Sequence, residues 1–344
     1  MSKTLKTIVS KVLAVGLLPV IVYGFFIIIK PDIFLALDMP VQLFNQCLST
    51  TVLAWGMSFG MLMGNMDMSA CAEQVLGTVV AIVVANMVGG PIGLVLGVLA
   101  VAIVIGAAKA ILMATINIKS MVLSIAYTLV LGGLGYAIVG GESNRITFSS
   151  GIFGNRWVTI PVFVAAGIIM YCLHKYSVFG AQCSALSGNE ALALSSGIKK
   201  EKVESIAIVV CSLYIAISAF IAVVRTGTGS PAQGLSSLSN VFGAMSGVFV
   251  AMALTRYVPM VVGILVGCYS MNIIIFGMMA SNFNAQIRST VNGSLLLLLL
   301  AFTTIKGKMD AEKMRRAAAA SLAAGDSAAI SDATAPASFN IPYQ

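Results

Sequence analysis

The sequence predicts an all-α polytopic membrane protein with about ten transmembrane helices. Its 344 residues are 59% hydrophobic and only 9% charged, with a mean hydropathy of +0.99. Soluble domains contain roughly 25% charged residues, so this composition points to a lipid environment. Apolar runs of about 18 residues or more follow one another along the chain, and each is long enough to cross a bilayer as a helix. The runs lack the strict alternation of membrane β-strands, which argues against a transmembrane barrel.

Ten apolar segments account for this count, with boundaries set to within a few residues. They are residues 8–29, 41–64, 70–89, 91–113, 121–140, 158–173, 204–224, 237–254, 257–280 and 290–306. The first segment begins with lysines and is followed by no small-x-small cleavage site, so we expect an uncleaved helix instead of a signal peptide. Residues 1–308 are predicted to form one transmembrane domain. Residues 309–344 are an Ala/Ser-rich cytoplasmic tail, expected to be largely disordered after a short helix around Glu312–Ala324.

The basic residues predict that both termini are cytoplasmic. Threading ten spans from a cytoplasmic N-terminus places 15 of the 20 Lys and Arg residues, Lys109 among them, on the inner side. The outer side receives Lys30, Arg145, Arg156, Arg225 and Arg288. Such an excess in cytoplasmic loops is the usual signature of orientation. The net charge of +8 therefore reflects residues that flank spans, and it predicts no nucleic-acid partner.

Few residues offer chemistry for catalysis or metal binding. The six cysteines form no Cys-x-x-Cys pair and lie in or beside apolar segments, where they are expected to be small core residues. His174 is the only histidine, which nearly excludes a histidine-based metal site. The chain has no His-Glu-x-x-His motif, and its one Gly-Lys dipeptide, Gly307-Lys308, lacks the rest of a Walker phosphate loop. The sequence therefore predicts neither an enzyme nor a metal or catalytic site.

Glycines recur at four-residue spacing inside the apolar segments. They are Gly56, Gly60 and Gly64 on one face of the second segment, and the pairs Gly93/Gly97, Gly243/Gly247 and Gly263/Gly267. Small residues at this spacing let helix backbones approach closely in a membrane. The leading interpretation is close packing within one subunit, and the alternative is contact between subunits.

Polar residues near membrane depth are few, so Asn65, Asp67 and Ser69 between the second and third segments are notable. A charge there is costly and normally faces a cavity, a partner or the protein interior. The three residues are candidates for a translocation path. The alternative is a cytoplasmic turn in which Asp67 or Ser69 caps the next helix, with Glu73 in its first turns. At the other side, Arg225 is either an interfacial anchor or a contact for a partner or solute.

A long polar stretch from Ser177 to Ser205 is predicted to face the cytoplasm. Within it, GNEALALSSGI is expected to form a short helix. Gly188 and Asn189 would begin this helix, with Glu190 at its positive end. Gly197 would end it. The alternative is a solvated connection without a partner.

In its residues this loop resembles the cytoplasmic loop of permease subunits in bacterial ABC importers for ribose, galactose and related small solutes, a family related to branched-chain amino-acid permeases. The family pattern reads roughly F-G-R-x-x-x-A-x-G-x-N-x-x-A-A-x-x-S-G-I. The matching positions here are Phe179, Gly180, Ala185, Gly188, Asn189, Glu190, Ala193, Ser196, Gly197 and Ile198. A weaker match is GNMDMSAC, which is similar to the family's G-G-I-D-L-S-V-G stretch at Gly64, Asp67 and Ser69. The resemblance covers about residues 10–308.

The resemblance implies the permease subunit of an ATP-driven ABC importer in the bacterial plasma membrane, with a path for a small polar solute and a sugar as the leading candidate. The loop, residues 177–203, would hold the helix that docks on the ABC ATPase subunit. The coupling residues would be Phe179, Gly180, Gly188, Asn189, Glu190, Ala193, Ser196 and Gly197. Other implied partners are a second permease subunit, identical or paralogous, and an extracellular or periplasmic solute-binding protein. ATP and Mg²⁺ would be used by the ATPase, and this chain is expected to bind no cofactor.

Some positions depart from the family pattern. Ala181 replaces an arginine of the loop, Asn65 and Cys71 replace glycines, and a Gly-rich stretch after the seventh segment is largely missing. These departures bear on the solute more than on the architecture. The alternative function is an ion-gradient-driven secondary transporter of a small polar solute, with Asp67 as its site. Against it stand the few intramembrane acids and the expectation that no basic residue pairs with them. A membrane scaffold that moves no solute is a third class.

Overall fold

The computed structural model describes residues 3–115, 120–148, 156–232, 234–255 and 257–323, and these are mostly helical. The helices are α1 (Lys3–Ile29), α2 (Pro31–Phe34), α3 (Met39–Leu62), α4 (Ala70–Val88), α5 (Pro91–Thr115), α6 (Ser120–Val139), α7 (Arg156–Tyr176), α8 (Val178–Gly188), α9 (Glu190–Ser195), α10 (Lys200–Thr226), α11 (Leu238–Leu254), α12 (Met260–Ala280) and α13 (Ala285–Ala323). Two short strands, β1 (Asn144–Arg145) and β2 (Thr228–Gly229), pair antiparallel.

Each predicted apolar segment lies on one long helix. Within the described ranges, six helices are long and apolar enough to cross a membrane, namely α4, α5, α6, α7, α10 and α12. Shorter apolar stretches, Gly16–Ile29 and Asn240–Leu254, lie in α1 and α11. The chain is therefore a multi-pass membrane protein, while the number of ten spans and the cytoplasmic termini stay predictions.

Two helices, α3 and α10, form the centre of the structure. Helix α10 packs against α3, α4, α5 and α7, and α3 also packs against α11 and α12. Every residue of α3 from Thr51 to Phe59 is buried. A helix surrounded by other helices can carry polar residues, since its neighbours supply the partners that lipid cannot.

Side-chain hydrogen bonds to backbone carbonyls join the central helices. Trp55 Nε1 of α3 donates to the carbonyl oxygen of Val261 in α12 at 2.9 Å. The Tyr214 hydroxyl of α10 donates to the carbonyl oxygen of Ala166 in α7 at 2.9 Å. Buried donors without such partners would each be costly, so these bonds fix how the helices cross.

The predicted glycine contacts are made within this one chain. A Cβ on Gly97 of α5 would lie 2.5 Å from the Cα of Ala81 in α4, so the two helix backbones touch. The pair α11 and α12 is equally close, since a Cβ on Gly267 would lie 2.5 Å from the carbonyl oxygen of Gly247. Gly64 departs from the predicted helix face because α3 ends at Leu62 and Gly64 has a positive φ of +82°.

The C-terminal helix differs from its prediction. Helix α13 continues without a break from Ala285 to Ala323, so the start of the predicted tail extends the last apolar segment. No glycine or proline occurs between Lys308 and Ala323, and the region is rich in alanine, the strongest helix former. The rest of the predicted disordered tail, residues 324–344, lies outside the described residues.

Candidate functional site

The polar loop after α7 is built from two capped helices. Ser177 caps α8, and its Oγ accepts a hydrogen bond from the Gly180 N–H at 2.9 Å. Asn189 lies between the helices and caps α9, with its Oδ1 accepting from the Leu192 N–H at 3.2 Å. Gly197 follows α9 with φ +86°, a conformation that favours glycine. The short helix predicted from sequence is thus confirmed.

One boundary of that prediction is wrong. Gly188 is the last residue of α8 and does not begin α9, because Asn189 adopts an extended conformation between the two helices. Ser196 closes the helix at its other end, and its Oγ donates to the Leu192 carbonyl oxygen at 2.8 Å. The loop therefore consists of two short helices joined at one residue, Asn189.

Aromatic stacking fixes the first of these helices on the membrane domain. The ring of Phe179 in α8 lies 4.7 Å from that of Phe59 in α3, which in turn stacks on His174 at 4.1 Å. Gly180 touches the end of α7 so closely that a Cβ would lie 2.9 Å from the His174 carbonyl oxygen. Helix α8 is therefore in direct contact with both α3 and α7.

The second helix, α9, has one buried and one exposed face. Ala193 is 4% exposed and belongs to the main core. On the other side, Leu192 is 59% exposed and Leu194 46% exposed. A six-residue helix with two exposed leucines at a polar loop offers a small apolar surface for a partner.

A chain of polar contacts runs from α9 into the membrane domain. Glu190 Oε1 lies 2.6 Å from Lys200 Nζ at the start of α10. Lys200 Nζ also lies 3.8 Å from Glu204 Oε1, one turn further along α10. Glu204 Oε1 accepts a hydrogen bond from Asn65 Nδ2 at 2.8 Å. These four residues connect the loop with the segment between α3 and α4.

That segment carries a buried ion cluster. Asp67 Oδ1 accepts hydrogen bonds from the Ser69 N–H at 3.0 Å and from the Ser69 hydroxyl at 2.7 Å. Asp67 Oδ2 pairs with Lys109 Nζ of α5. Lys109 Nζ also lies 3.8 Å from Glu73 Oε2 of α4. Burial acts to raise the pKa of Asp67, but the charge of Lys109 and the hydrogen bonds outweigh it, so this pKa lies below its ordinary value.

The cluster corrects one expectation. The assumption that no basic residue pairs with the intramembrane acids is wrong, because Lys109 contacts both Asp67 and Glu73. Lys109 is only 3% exposed, so it lies in the protein interior, and its position on the inner side of the membrane stays a prediction. The partners are 42 residues apart, so no local pattern shows the pair. The available signal was a lone lysine near the end of an otherwise apolar 25-residue helix.

Glu73 differs from Asp67 in its surroundings. It is fully buried, and its carboxylate oxygens accept no hydrogen bond from the described residues. Two carboxylates and one ammonium would leave a net negative charge in a medium that solvates charge poorly. Glu73 is therefore the member of the cluster whose charge is least compensated.

Two of the three predicted path residues line a recess at this end of the molecule. Asn65 and Asp67 face it together with Lys109 and Glu204, and Gly56 and Gly60 of α3 form its floor. Ser69 does not line it, because this residue is buried and bonded to Asp67. The recess lies between α3, α5 and α10, beside the polar chain that leads to α9.

A second buried polar contact involves a serine in a Gly-x-Ser-x-Gly sequence, but the structure around it is not that of a hydrolase site. Gly56 to Gly60 reads Gly-x-Ser-x-Gly, and the Ser58 Oγ lies 3.1 Å from His174 Nε2. Hydrolase nucleophiles sit on an exposed, strained turn between strand and helix. Ser58 is instead fully buried in the middle of α3, where its hydroxyl also bonds to the Trp55 carbonyl oxygen at 2.6 Å. The contact therefore joins α3 to α7.

Comparison with known proteins gives one family. The model described as "Branched-chain amino acid transport system / permease component" matches residues 39–302, which include the loop, the ion cluster and the recess. No match was found among curated proteins or among solved structures.

Proposed function

The chain belongs to the permease family of branched-chain amino acid and monosaccharide ABC transporters, and on that premise we propose that it is the permease subunit of an ATP-driven importer for a small polar solute. The family match covers well over half of the chain. In such a system the ATPase is a separate subunit, and the permease converts its motion into rearrangement of membrane helices. ATP and Mg²⁺ belong to that partner, and this chain binds neither.

The observation that carries the proposal is the connection between α9 and the recess. A conformational change can be driven only by contacts that differ between states. A partner that binds the helix pair α8–α9 can displace it. Polar contacts then connect α9 with the segment after α3 through Glu190, Lys200, Glu204 and Asn65. Displacement of α9 would therefore alter the inner end of α3 and α10 together.

The partners follow from this arrangement. The exposed leucines of α9 fit a shallow groove of an ABC ATPase subunit, with Glu190 at the rim. A second permease subunit, either an identical chain or a paralogue, would complete the path, and a solute-binding protein would deliver the solute at the opposite end. The setting is the bacterial plasma membrane.

The solute is proposed to be a sugar or a closely related polar molecule. The loop residues resemble those of sugar permeases, while the matching family also includes amino acid permeases. Asn65 and Asp67 are the proposed path residues at the inner end.

The test is a charge reversal on α9 in the complex with its ATPase. Glu190→Arg replaces the 2.6 Å ion pair with Lys200 by a repulsion. Glu201→Arg is the matched control, because Glu201 is exposed in the next helix and forms no ion pair among the described residues. We expect Glu190→Arg to keep membrane insertion and ATP hydrolysis but to lose most uptake per ATP, with the control near wild type. ATP-driven uptake that is normal in Glu190→Arg would contradict the proposal.

The ion cluster favours one alternative, an ion-gradient-driven secondary transporter. A buried carboxylate without a hydrogen-bond partner, such as Glu73, is the kind of group that takes up a proton during transport. The discriminating experiment uses the purified chain alone in proteoliposomes with an imposed proton or sodium gradient. Gradient-dependent uptake without ATPase, lost in Glu73→Gln, would replace the permease proposal.

A further inference from the structure

A second polar cavity lies at the opposite end of the central helices. It has a volume of about 250 Å³ and lies between the start of α3, the start of α7 and the end of α10. Its lining residues are Gln42, Asn45, Gln46, Leu48, Thr159, Ile221 and Arg225. Cavities for drug-sized ligands run to roughly 300–1,000 Å³, so this one suits a smaller molecule.

Among the lining residues that the structure describes, only Arg225 is charged. Arg225 lies in the last turn of α10. It forms no ion pair or side-chain hydrogen bond with the described residues. None of the described lining residues is acidic. A guanidinium presents a planar fork of donors that matches a carboxylate, so an unpaired arginine in a cavity favours an anionic group.

Three primary amides lie beside this arginine. Gln42, Asn45 and Gln46 are spaced i, i+3 and i+4, so they share one face of α3. Their side chains form no hydrogen bond with the described residues, although Asn45 and Gln46 are only partly exposed. An amide both donates and accepts, as a hydroxyl does, so a row of amides suits a hydroxylated ligand.

The same lining disfavours an amino acid. A ligand with an ammonium group would need an acidic side chain to offset its positive charge on leaving water, because the amide oxygens here supply only partial negative charge. The cavity adds a positive charge instead. The lining therefore favours hydroxy acids over neutral sugars, which would leave the charge of Arg225 without a counterion, and over zwitterionic amino acids, which would add a second positive charge.

We propose that this cavity is a binding site for a small hydroxy-carboxylate, with Arg225 binding the carboxylate and the amides of Gln42, Asn45 and Gln46 binding hydroxyl groups. The proposal rests on the proposed transport function and narrows its solute class. Leu48 and Ile221 form the apolar floor, and just beyond them the Ser218 hydroxyl of α10 bonds to the Ser49 carbonyl oxygen of α3 at 2.6 Å. A bound solute would therefore rest on the contact between the two helices whose other ends carry the recess and the loop.

The experiment measures binding of gluconate to the purified full chain in lipid nanodiscs, with glucose and leucine as comparison probes. We expect saturable gluconate binding that is at least tenfold tighter than binding of either other probe. Arg225→Gln should weaken gluconate binding at least tenfold. Arg225→Lys should bind gluconate more tightly than Arg225→Gln but less tightly than wild type, because lysine keeps the positive charge without the planar pair of N–H donors. Gln46→Leu should weaken it as well.

Arg288→Gln is the matched control, since Arg288 lies near the start of α13 and does not line the cavity. Each variant must melt at the wild-type temperature before its affinity is compared. Absence of saturable gluconate binding, equal affinity for glucose, or an unchanged affinity in Arg225→Gln would each overturn the proposal. Because no ATPase is present, these results are independent of the Glu190→Arg test, so the site and the ABC mechanism can fail separately.

Discussion

Replacing Lys109 by methionine removes the one positive charge of the buried cluster while keeping an unbranched side chain that is one atom shorter. Lys109 is 3% exposed and Glu73 is fully buried, so neither can recover the loss through water. Breaking a buried ion pair by removing one partner costs about 3–5 kcal/mol, because a charge is left without compensation. Asp67 keeps two hydrogen bonds from Ser69, whereas Glu73 keeps none, so most of this cost falls on Glu73.

The assay is thermal unfolding of the purified protein in one detergent, followed by tryptophan fluorescence, since Trp55 lies in the core of α3. We expect Lys109→Met to lower the melting temperature strongly. Lys202→Met is the matched control at an exposed position and should change stability by no more than about 0.5 kcal/mol.

The double variant Lys109→Met with Glu73→Gln should recover part of the loss, because it removes the uncompensated charge and leaves a neutral buried amide costing about 1–3 kcal/mol. Equal melting temperatures for Lys109→Met and Lys202→Met would refute the reasoning, as would a double variant less stable than Lys109→Met alone.

Three further changes test other features. Gly180→Ala should destabilise the protein by about 1–3 kcal/mol in the same melting assay, since its Cβ would meet the carbonyls at the end of α7, whereas Gly133→Ala, with open space around it, should not. Gly197→Ala should lower the free energy of unfolding by about 1–2 kcal/mol, because Gly197 has a φ of +86°. Amide hydrogen exchange in α9 should also accelerate, and unchanged exchange would contradict the capping role of Gly197. The pKa of Asp67 is lowered in the folded state, so its contribution is present above its ordinary value of 3.8 and is lost as the pH falls below it. Wild type should therefore lose stability more steeply than Asp67→Asn in that acid range, and parallel curves would contradict the pairing.

Local features of this protein were readable from its sequence. The apolar segments predicted the long helices because a membrane span requires an uninterrupted apolar run. The ends of α9 were predicted correctly at Asn189 and Gly197, since a cap depends on residues within one turn. The error at Gly188 has the same origin, because either of two adjacent turn-forming residues can begin a helix.

Contacts between distant segments were not readable in this way. The pairing of Lys109 with Asp67 depends on how α5 lies beside the start of α4, which no spacing in the sequence reveals. Arg225 was recognised as unusual, but the amides that share its cavity lie about 180 positions earlier, on α3. Their i, i+3, i+4 pattern was visible, yet only the packed structure shows that this face borders a cavity.

Helix α13 is much longer than a membrane span requires. Its 39 residues span about 58 Å at 1.5 Å per residue, and a bilayer core takes up only about 30 Å of that length. Asn272 of α12 donates to the Leu43 carbonyl oxygen near the start of α3, and Trp55 further along α3 donates to the Val261 carbonyl oxygen near the start of α12. The two helices are therefore antiparallel, and α13, which follows α12, begins at the end of the molecule where α3 begins. In the predicted ten-span arrangement, its last turns would extend about 25 Å past the bilayer core on the side of α9. A partner docked on α9 would then lie beside the end of α13, and this limits the directions from which the partner can approach.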